Sequence, residues 1–291
     1  MVARHEVTVE VLGPWSLATS KQFWEGFAPG ALPSQGEQQE MRTVFRGEGD
    51  WSRAEVWVTQ HDSAARIVVE GSGDLELAAA QAGRFLSLDV DGRGWVEVGS
   101  RDAVIADAQE QLPGLRPCGF HSPYEAAAWA VLSQRIRIVQ AASLRDELVR
   151  EYGENGAFPA PERLRALDLE LPGRKTEYLQ AVAEAALDGR LDGLALRAMP
   201  VEDAISAVRE VKGLGPFAAE LVVLRGANAP DAIPQNERRL DEEITFRYGA
   251  GRTLAEVSEN WRPYRTWAAV HLRCLREART HEISRGRLGL G

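Results

Sequence analysis

The 291-residue sequence is poor in metal-binding and membrane-spanning features. It contains only two cysteines, Cys118 and Cys274, which are far apart, and five scattered histidines. This pattern predicts reduced thiols and no zinc or iron–sulfur site. Long apolar runs are also missing, which excludes a membrane helix, since crossing a bilayer takes about 20 apolar residues. The first residues, MVARHEVTVEV, contain no apolar signal region, so we expect a cytoplasmic location.

Lysine is scarce, because all but three of the 34 basic residues are arginine. The net charge of −9 argues against a simple nucleic-acid binder, which usually carries a basic footprint. However, the charge is distributed unevenly. Residues 1–100 carry 8 Arg and Lys against 15 Asp and Glu, whereas residues 238–291 carry 11 against 7. The basic end is compatible with phosphate recognition, and the preference for arginine could equally reflect a GC-rich genome.

The first hundred residues alternate between apolar and polar side chains in short segments separated by turn residues, which is typical of strands. Helical spacing occurs in two segments, Trp15–Phe27 and Asp74–Leu86. The predicted strands are His5–Leu12, Met41–Arg46, Glu55–Thr59, Ala65–Glu70 and Trp95–Val98. We therefore predict an α+β fold, with a small N-terminal α+β sheet domain at residues 1–100 and an all-helical domain at residues 101–291.

The pattern becomes helical after residue 101. Ser122-Pro123-Tyr124-Glu125 resembles a capping box with proline at the first helical position. The predicted helices are Asp102–Gln111, a helix from Ser122 through Ile136, Ile138–Tyr152, Pro161–Leu167, Arg174–Asp188, Val201–Val211, Ala218–Leu224, Glu237–Tyr248 and Pro263–Arg279.

One stretch, residues 211–239, combines a glycine turn with a later carboxylate. The turn reads Val-Lys-Gly-Leu-Gly-Pro, from Val211 to Pro216, and joins two predicted helices. Glycines before a helix allow backbone N–H groups to converge on an anion, so the turn can bind a phosphate. About twenty residues later, Pro234 precedes Gln235, Asn236 and Glu237. The stretch therefore predicts a phosphodiester site with a carboxylate nearby.

These features, in this order, resemble the helix–hairpin–helix DNA glycosylase superfamily, specifically its DNA-3-methyladenine glycosylase II branch. The resemblance covers residues 112–276. It includes entry helices with Leu132-Ser133-Gln134, the segment FPAPERLRALD, and a closing helix that reads WRPYRTWAAVHL from Trp261. The resemblance implies two helical lobes with a cleft between them, and a monomer that binds double-stranded DNA containing a damaged base.

The family likeness also implies roles for individual residues. Lys212, Gly213, Leu214, Gly215 and Pro216 would form the DNA-binding hairpin, whose carbonyls could hold a monovalent cation. No other cofactor or metal is implied. The entry-helix residue Gln134 would contact DNA, and a carboxylate after the proline loop would stabilise positive charge on the sugar during base release.

The sequence departs from the family at this carboxylate. Alignment on the following helix puts Glu237 where the family has aspartate, whereas a different gap would put Gln235 or Asn236 there, and neither amide can supply negative charge. Glu237 could also simply favour the helix dipole from its first turn. Phe217 stands where relatives with lyase activity carry lysine, so we expect a monofunctional enzyme without a Schiff base.

The base pocket is the second departure. Phe217 keeps one of the aromatic residues that the family uses to stack on alkylated purines, whereas Leu221 and Arg273 stand where two others are expected. Trp129 and Tyr124 could complete the pocket, as could Tyr264 and Trp267, although all four also suit a core.

Four further residues or segments have both a functional and a structural interpretation. The segment Leu171–Lys175 could touch a second phosphate or start a helix. Asp231 could be an acid or a turn residue, His271 suits a core, and Arg225 could cap its helix or contact DNA.

The leading hypothesis is a DNA glycosylase of base excision repair that removes an alkylated purine. One alternative is a catalytically impaired paralogue that recognises damaged or abasic DNA without turnover. Another is an interaction protein that has lost DNA binding, which the acidic balance allows.

Overall fold

The computed structural model describes residues 2–26 and 40–282. Its N-terminal part contains the strands β1 (Ala3–Glu10), β2 (Glu40–Arg46), β3 (Arg53–His61) and β4 (Ala64–Gly71), with the helices α1 (Leu17–Gly26) and α2 (Leu75–Phe85). The strands form one antiparallel sheet in the order β1-β4-β3-β2. Four of the predicted strands and both helices are confirmed, except that Phe27, the predicted end of α1, lies outside the described residues.

The fifth predicted strand, Trp95–Val98, is wrong, because these residues begin the helix α3 (Trp95–Arg101). Four residues are too few to distinguish alternation from helical spacing. Trp95 and Val98 are three residues apart, and both are buried. The Trp95 ring packs against Trp267 with ring centroids 5.8 Å apart. Burial of one helical face therefore determines this segment.

The remaining chain is mainly helical in the described residues, as predicted, but the helix that starts after Ser122 ends at Leu132, so its predicted extension through Ile136 is wrong. It contains α4 (Ala103–Gln111), α5 (Pro123–Leu132), α6 (Ile138–Tyr152), α7 (Pro161–Ala166), α8 (Lys175–Leu187), α9 (Gly193–Ala198), α10 (Val201–Arg209), α11 (Pro216–Leu221), α12 (Arg238–Tyr248), α13 (Leu254–Ser258) and α14 (Arg265–Thr280). A π-helix, Val222–Gly226, continues α11, and a 3₁₀ turn, Glu259–Trp261, follows α13. An N-terminal four-stranded sheet followed by a helical part confirms the predicted fold class.

The start of α5 shows how one predicted cap is modified by packing. The Ser122 hydroxyl accepts a hydrogen bond from the Glu125 amide at 3.2 Å, with Pro123 at the first helical position, as expected. The Glu125 side chain, however, does not complete the capping box. It accepts a hydrogen bond from Arg145 at 3.3 Å and lies 3.5 Å from the His121 ring nitrogen. These buried partners stabilise the carboxylate in the protein interior.

Three hydrophobic clusters organise the described residues. One lies between the sheet, α1 and α2, and a second lies among α5, α8, α10, α11 and the π-helix. The third joins α3 to the C-terminal helices α12 and α14. The second cluster carries the site, because it buries Leu214 of the glycine turn together with Ala218 and Ala219 of α11. The turn is therefore held on a packed helical core.

Hydrogen bonds and a cation–π contact connect the sheet part to the helical part. Asn228 donates to the Arg84 carbonyl at 2.6 Å, and the half-buried Arg225 guanidinium lies over the Phe23 ring, 5.6 Å from its centroid. The fully buried Arg116 guanidinium donates to four backbone carbonyls, those of Leu12, Pro14, Ser87 and Val90. None of the described helices has the combined length and apolar character needed to cross a membrane.

Candidate nucleic-acid interface and active site

The glycine turn between α10 and α11 has the backbone geometry that its sequence predicts. Gly213 has φ +93°, a region that side chains rarely adopt, and a Cβ atom there would lie 2.4 Å from Cγ of Tyr178. Gly215 and Pro216 are exposed, and a Cβ atom at Gly215 would meet no heavy atom within 4 Å. Within the described part of the chain, the Gly213 and Gly215 amides donate to no acceptor. These free donors suit an incoming anion.

Two neighbouring loops hold the turn in place. The Gln134 side-chain amide donates to the Gly213 carbonyl at 2.7 Å. Lys175, the first residue of α8, donates from its ammonium group to the carbonyls of Val131, Leu132 and Gln134 at 2.8–2.9 Å. Burial lowers the pKa of Lys175. The end of α5, the start of α8 and the hairpin therefore form one connected surface.

Gln134, predicted as a DNA contact, thus has a hydrogen-bonding role in the protein. It is half-buried, and its hydrogen bond to the Gly213 carbonyl stabilises the hairpin. Its neighbour Arg135 is exposed and has φ +57°, an uncommon conformation for a residue with a side chain. Contact of Gln134 with DNA and binding of a cation by the hairpin carbonyls stay predictions. The described residues contain no group of three or more His, Cys, Asp or Glu arranged to bind a metal ion.

The loop carrying Glu237 is attached to the helix that follows the hairpin. Asn236 donates twice to the buried carboxylate of Glu220 on α11, from its backbone N at 3.1 Å and from its side-chain Nδ2 at 2.7 Å. Glu220 is 7% exposed. Since Phe217 lies three residues before Glu220, the two share one face of the helix. The bonds therefore bring the carboxylate loop to the same helix as the predicted aromatic.

Glu237 itself caps α12. Its side-chain oxygen accepts a hydrogen bond from the Arg239 amide at 3.2 Å, so the residue precedes the helix instead of lying in its first turn. No Lys, Arg or His of the described residues lies within 4 Å of its carboxylate oxygens. The half-buried Arg273 on α14 is nevertheless close enough to be affected. Burial lowers the pKa of Arg273, and the charge of Glu237 raises it.

The predicted pocket residues fall into two groups. Phe217 is 50% exposed, and Leu221 and Arg273 are half-buried, so these three can meet a ligand. Tyr124 and Trp129 are buried in the core. The Tyr124 hydroxyl donates to the Pro159 carbonyl at 2.9 Å, and burial raises its pKa. A base could reach Tyr124 only if its neighbours moved. The roles of all five residues stay predictions.

The other candidates are held in structural contacts. Asp231 pairs with Arg265 at 2.8 Å and with Arg262 at 3.2 Å, at the start of α14. His271 is fully buried and contacts the Trp267 carbonyl through Nδ1 at 2.8 Å, and burial lowers its pKa to about 4. Arg225 joins the sheet part to the helical part, and burial lowers its pKa to about 10.

Sequence reasoning missed two carboxylates beside the hairpin. Glu220 holds the Asn236 loop, and Glu177 on α8 pairs with Lys212 of the hairpin. Each contacts a partner far along the chain, so no local pattern indicates it.

Comparison with known proteins extends these observations. The DNA-3-methyladenine glycosylase of Bacillus subtilis is 27% identical over 207 residues, which cover 65% of this chain and 68% of that protein. A relative from Mycobacterium tuberculosis is 29% identical over 221 residues, and the match covers 71% of this chain but only 44% of the relative. A solved 3-methyladenine DNA-glycosylase from Archaeoglobus fulgidus matches 95% of this chain and 99% of its own, with a TM-score of 0.73 and 19% identity. The chain is therefore similar in sequence to proteins named DNA-3-methyladenine glycosylases, and it shares the fold of a solved 3-methyladenine DNA-glycosylase.

A second solved structure with a similar fold contains DNA. The 3-methyladenine DNA glycosylase of Schizosaccharomyces pombe, in complex with abasic DNA, has a TM-score of 0.52 and 22% identity. The match covers 62% of this chain and 94% of the yeast protein. No family model matches this chain.

Proposed function

We propose that this chain is a monofunctional DNA glycosylase that removes a damaged base, of the alkylated-purine class, from duplex DNA. The hairpin would hold a backbone phosphate through the free amides of Gly213 and Gly215. The damaged nucleotide would rotate out of the helix towards Phe217. Water would then replace the base at C1′ of the sugar. The Glu237 carboxylate would stabilise the positive charge that develops on the sugar as the bond to the base breaks.

One observation carries this proposal: Asn236 is hydrogen-bonded twice to Glu220 on the helix after the hairpin. This attachment fixes the loop with Glu237 relative to the element that would hold the DNA strand. A carboxylate can act on a bound sugar only if its position is fixed relative to that sugar. The relatives named as 3-methyladenine glycosylases support the class of reaction.

The test is base release from duplex DNA treated with a methylating agent. We expect the purified protein to release a methylated purine and Glu237→Gln to abolish release while it still binds abasic-site DNA. The substitution suits this test, because a glutamine oxygen can still accept the hydrogen bond from the Arg239 amide. Asp241→Asn is the matched control, since it removes one exposed charge from the same helix. Failure to release any base from a broad set of damaged substrates would reject the enzyme.

A second candidate is a paralogue that binds damaged or abasic DNA without turnover. The observation that favours it is the cap, because the Glu237 carboxylate already serves α12 through the Arg239 amide. In that case wild-type and Glu237→Gln proteins would bind abasic-site DNA equally, and neither would release a base.

A further inference from the structure

A cluster of opposite charges lies beside the hairpin and is formed by Arg174 before α8, Glu177 on α8 and Lys212 of the hairpin. The Arg174 guanidinium binds the Glu177 carboxylate through two hydrogen bonds, from Nε at 2.6 Å and from Nη2 at 2.9 Å. The Lys212 ammonium group of the hairpin contacts the same carboxylate. All three side chains are well exposed, at 60%, 41% and 57% for Arg174, Glu177 and Lys212. One exposed carboxylate therefore holds two cations from two separate loops.

The packing between these loops fixes the cluster next to the phosphate-binding turn. The Tyr178 ring lies directly against Gly213, and the Arg174 guanidinium lies over that ring, 5.2 Å from its centroid. Lys175, adjacent to Arg174, is anchored by its three carbonyl contacts. Gly173 has φ +69°, and a Cβ atom there would meet no heavy atom within 4 Å. Arg174 is thus presented on a supported loop with open space beside it.

The Glu177 carboxylate binds Arg174 and Lys212 in the way that a phosphate group would. A guanidinium binds carboxylate and phosphate in the same two-pronged geometry, and a lysine adds a point charge. Ion pairs between exposed groups contribute little to stability, so exchange of one anion for another is inexpensive. The Arg174 and Lys212 hydrogen bonds lower the pKa of Glu177 to about 2.

We propose that Arg174 and Lys212 form a second binding site for a DNA backbone phosphodiester, and that Glu177 occupies this site until DNA displaces it. The site extends the contact with the strand beyond the Gly213–Gly215 amides, and its carboxylate weakens binding to undamaged duplex. This inference deepens the proposed function, because it assumes that the hairpin binds duplex DNA.

The experiment measures the affinity of the full-length protein for undamaged and abasic-site duplexes across a range of salt concentrations. Glu177→Gln should bind both duplexes several-fold more tightly than wild type, because the cations become free for phosphate. Arg174→Gln should bind more weakly, and its dependence on salt should flatten by about 0.9 in the slope of log K against log salt, as expected for one lost phosphate contact.

Glu6→Gln is the matched control, because Glu6 binds Arg66 through two hydrogen bonds on the exposed sheet, at 2.7 and 2.8 Å, in the same paired geometry. It changes the net charge by the same amount and should leave DNA affinity unchanged. Equal gains in Glu6→Gln and Glu177→Gln would overturn the site and assign the gain to net charge. Unchanged binding by Glu177→Gln and Arg174→Gln would overturn it directly.

The two proposals can fail separately. If wild type binds duplex and Glu177→Gln tightens that binding, but no base is released, the second site stands and the enzyme fails. If base is released and the Glu177 and Arg174 variants bind as wild type, the enzyme stands and the second site fails. Loss of duplex binding in every variant would overturn both.

Discussion

At the scale of single residues, Glu220 is a buried carboxylate whose hydrogen bonds are made to the loop before Glu237. Its two acceptor oxygens match the two donors of Asn236, from the backbone and from the side chain. Removing one of these contacts frees the loop without touching the hairpin. Glu220 is therefore a positioning residue in the proposed reaction.

Glu220→Gln should slow base release about tenfold, because a glutamine amide directs its own donor at one of the two Asn236 donors and shifts the loop. Single-turnover excision would measure the rate, and abasic-site DNA affinity should stay at the wild-type level. Asn236→Ala keeps the backbone contact and should have a smaller effect. A wild-type excision rate in Glu220→Gln would contradict the positioning role.

Phe217 and Arg273 differ in what they could offer a base. The phenyl ring can stack on a flat purine, whereas the guanidinium adds a positive charge close to Glu237. The charge of Arg273, at a position where the family resemblance implies an aromatic residue, is the main departure of this site from an aromatic pocket.

At the scale of elements, the two glycines of the hairpin have different roles. The fold requires glycine at Gly213, whereas DNA binding would favour glycine at Gly215. Gly213 needs its positive φ, and the Tyr178 ring leaves no room for a side chain there. Gly215 has an ordinary φ of −82° and open space beside it. Gly215 is also the N-cap of α11, where glycine is favoured over alanine, and close approach of a ligand is a second reason for it to lack a side chain.

Gly215→Ala should therefore lose at most the small N-cap preference for glycine in stability, and should bind duplex DNA about tenfold more weakly, a loss of about 1.4 kcal/mol. Urea unfolding would measure the stability, and fluorescence anisotropy with labelled duplex would measure the affinity. Gly213→Ala should lose both stability and DNA binding. Unchanged DNA affinity in Gly215→Ala would show that the strand does not approach this face.

Local patterns predicted the elements well wherever one short segment determined its own structure. The glycine turn was found because Gly213 needs a backbone conformation that few other residues adopt, and the end of α6 was found from Tyr152-Gly153. The segment Trp95–Val98 failed because its helical state depends on α14. Sequence patterns could not predict the Asn236–Glu220 contact or the Lys212–Glu177 pair, because each joins residues from different elements and depends on the tertiary structure.

At the scale of the whole molecule, buried charges and hydrogen bonds make unfolding depend on pH. His271 is the clearest case, because its Nδ1 contacts the Trp267 carbonyl while its buried Nε2 has no partner in the described structure. A proton on Nε2 would be a buried donor without an acceptor. Burial therefore lowers the pKa of His271 from 6.5 to about 4 in the folded protein.

Between pH 6.5 and pH 4, His271 is therefore protonated in the unfolded state and neutral in the folded state. Stability should fall as the pH decreases from 6.5 towards 4, by about 3 kcal/mol in total from this residue, and should not change from this cause above pH 6.5. His271→Phe should lose this dependence. The measurement is the difference in unfolding free energy between wild type and variant at pH 7 and pH 5.

Subtracting the unfolding free energy of His271→Phe from that of wild type also removes the pH-dependent contributions of all other residues, which the two proteins share. Burial raises the pKa of Glu48 to about 7. In wild type and variant alike, this makes the free energy of unfolding fall as the pH rises from 4.5 to 7, opposite to the effect of His271. A difference that does not vary with pH would contradict the assignment to His271.

The exposure of Phe217 has a spectroscopic consequence. Seven of the eight tryptophans are buried, and the eighth, Trp57, is half-buried on β3. Their intrinsic fluorescence will therefore report on unfolding of the sheet and the helical core. The residue beside the hairpin tip is a phenylalanine, which is nearly silent in such a measurement. Phe217→Trp would place a fluorescent side chain where the proposed DNA strand meets the protein.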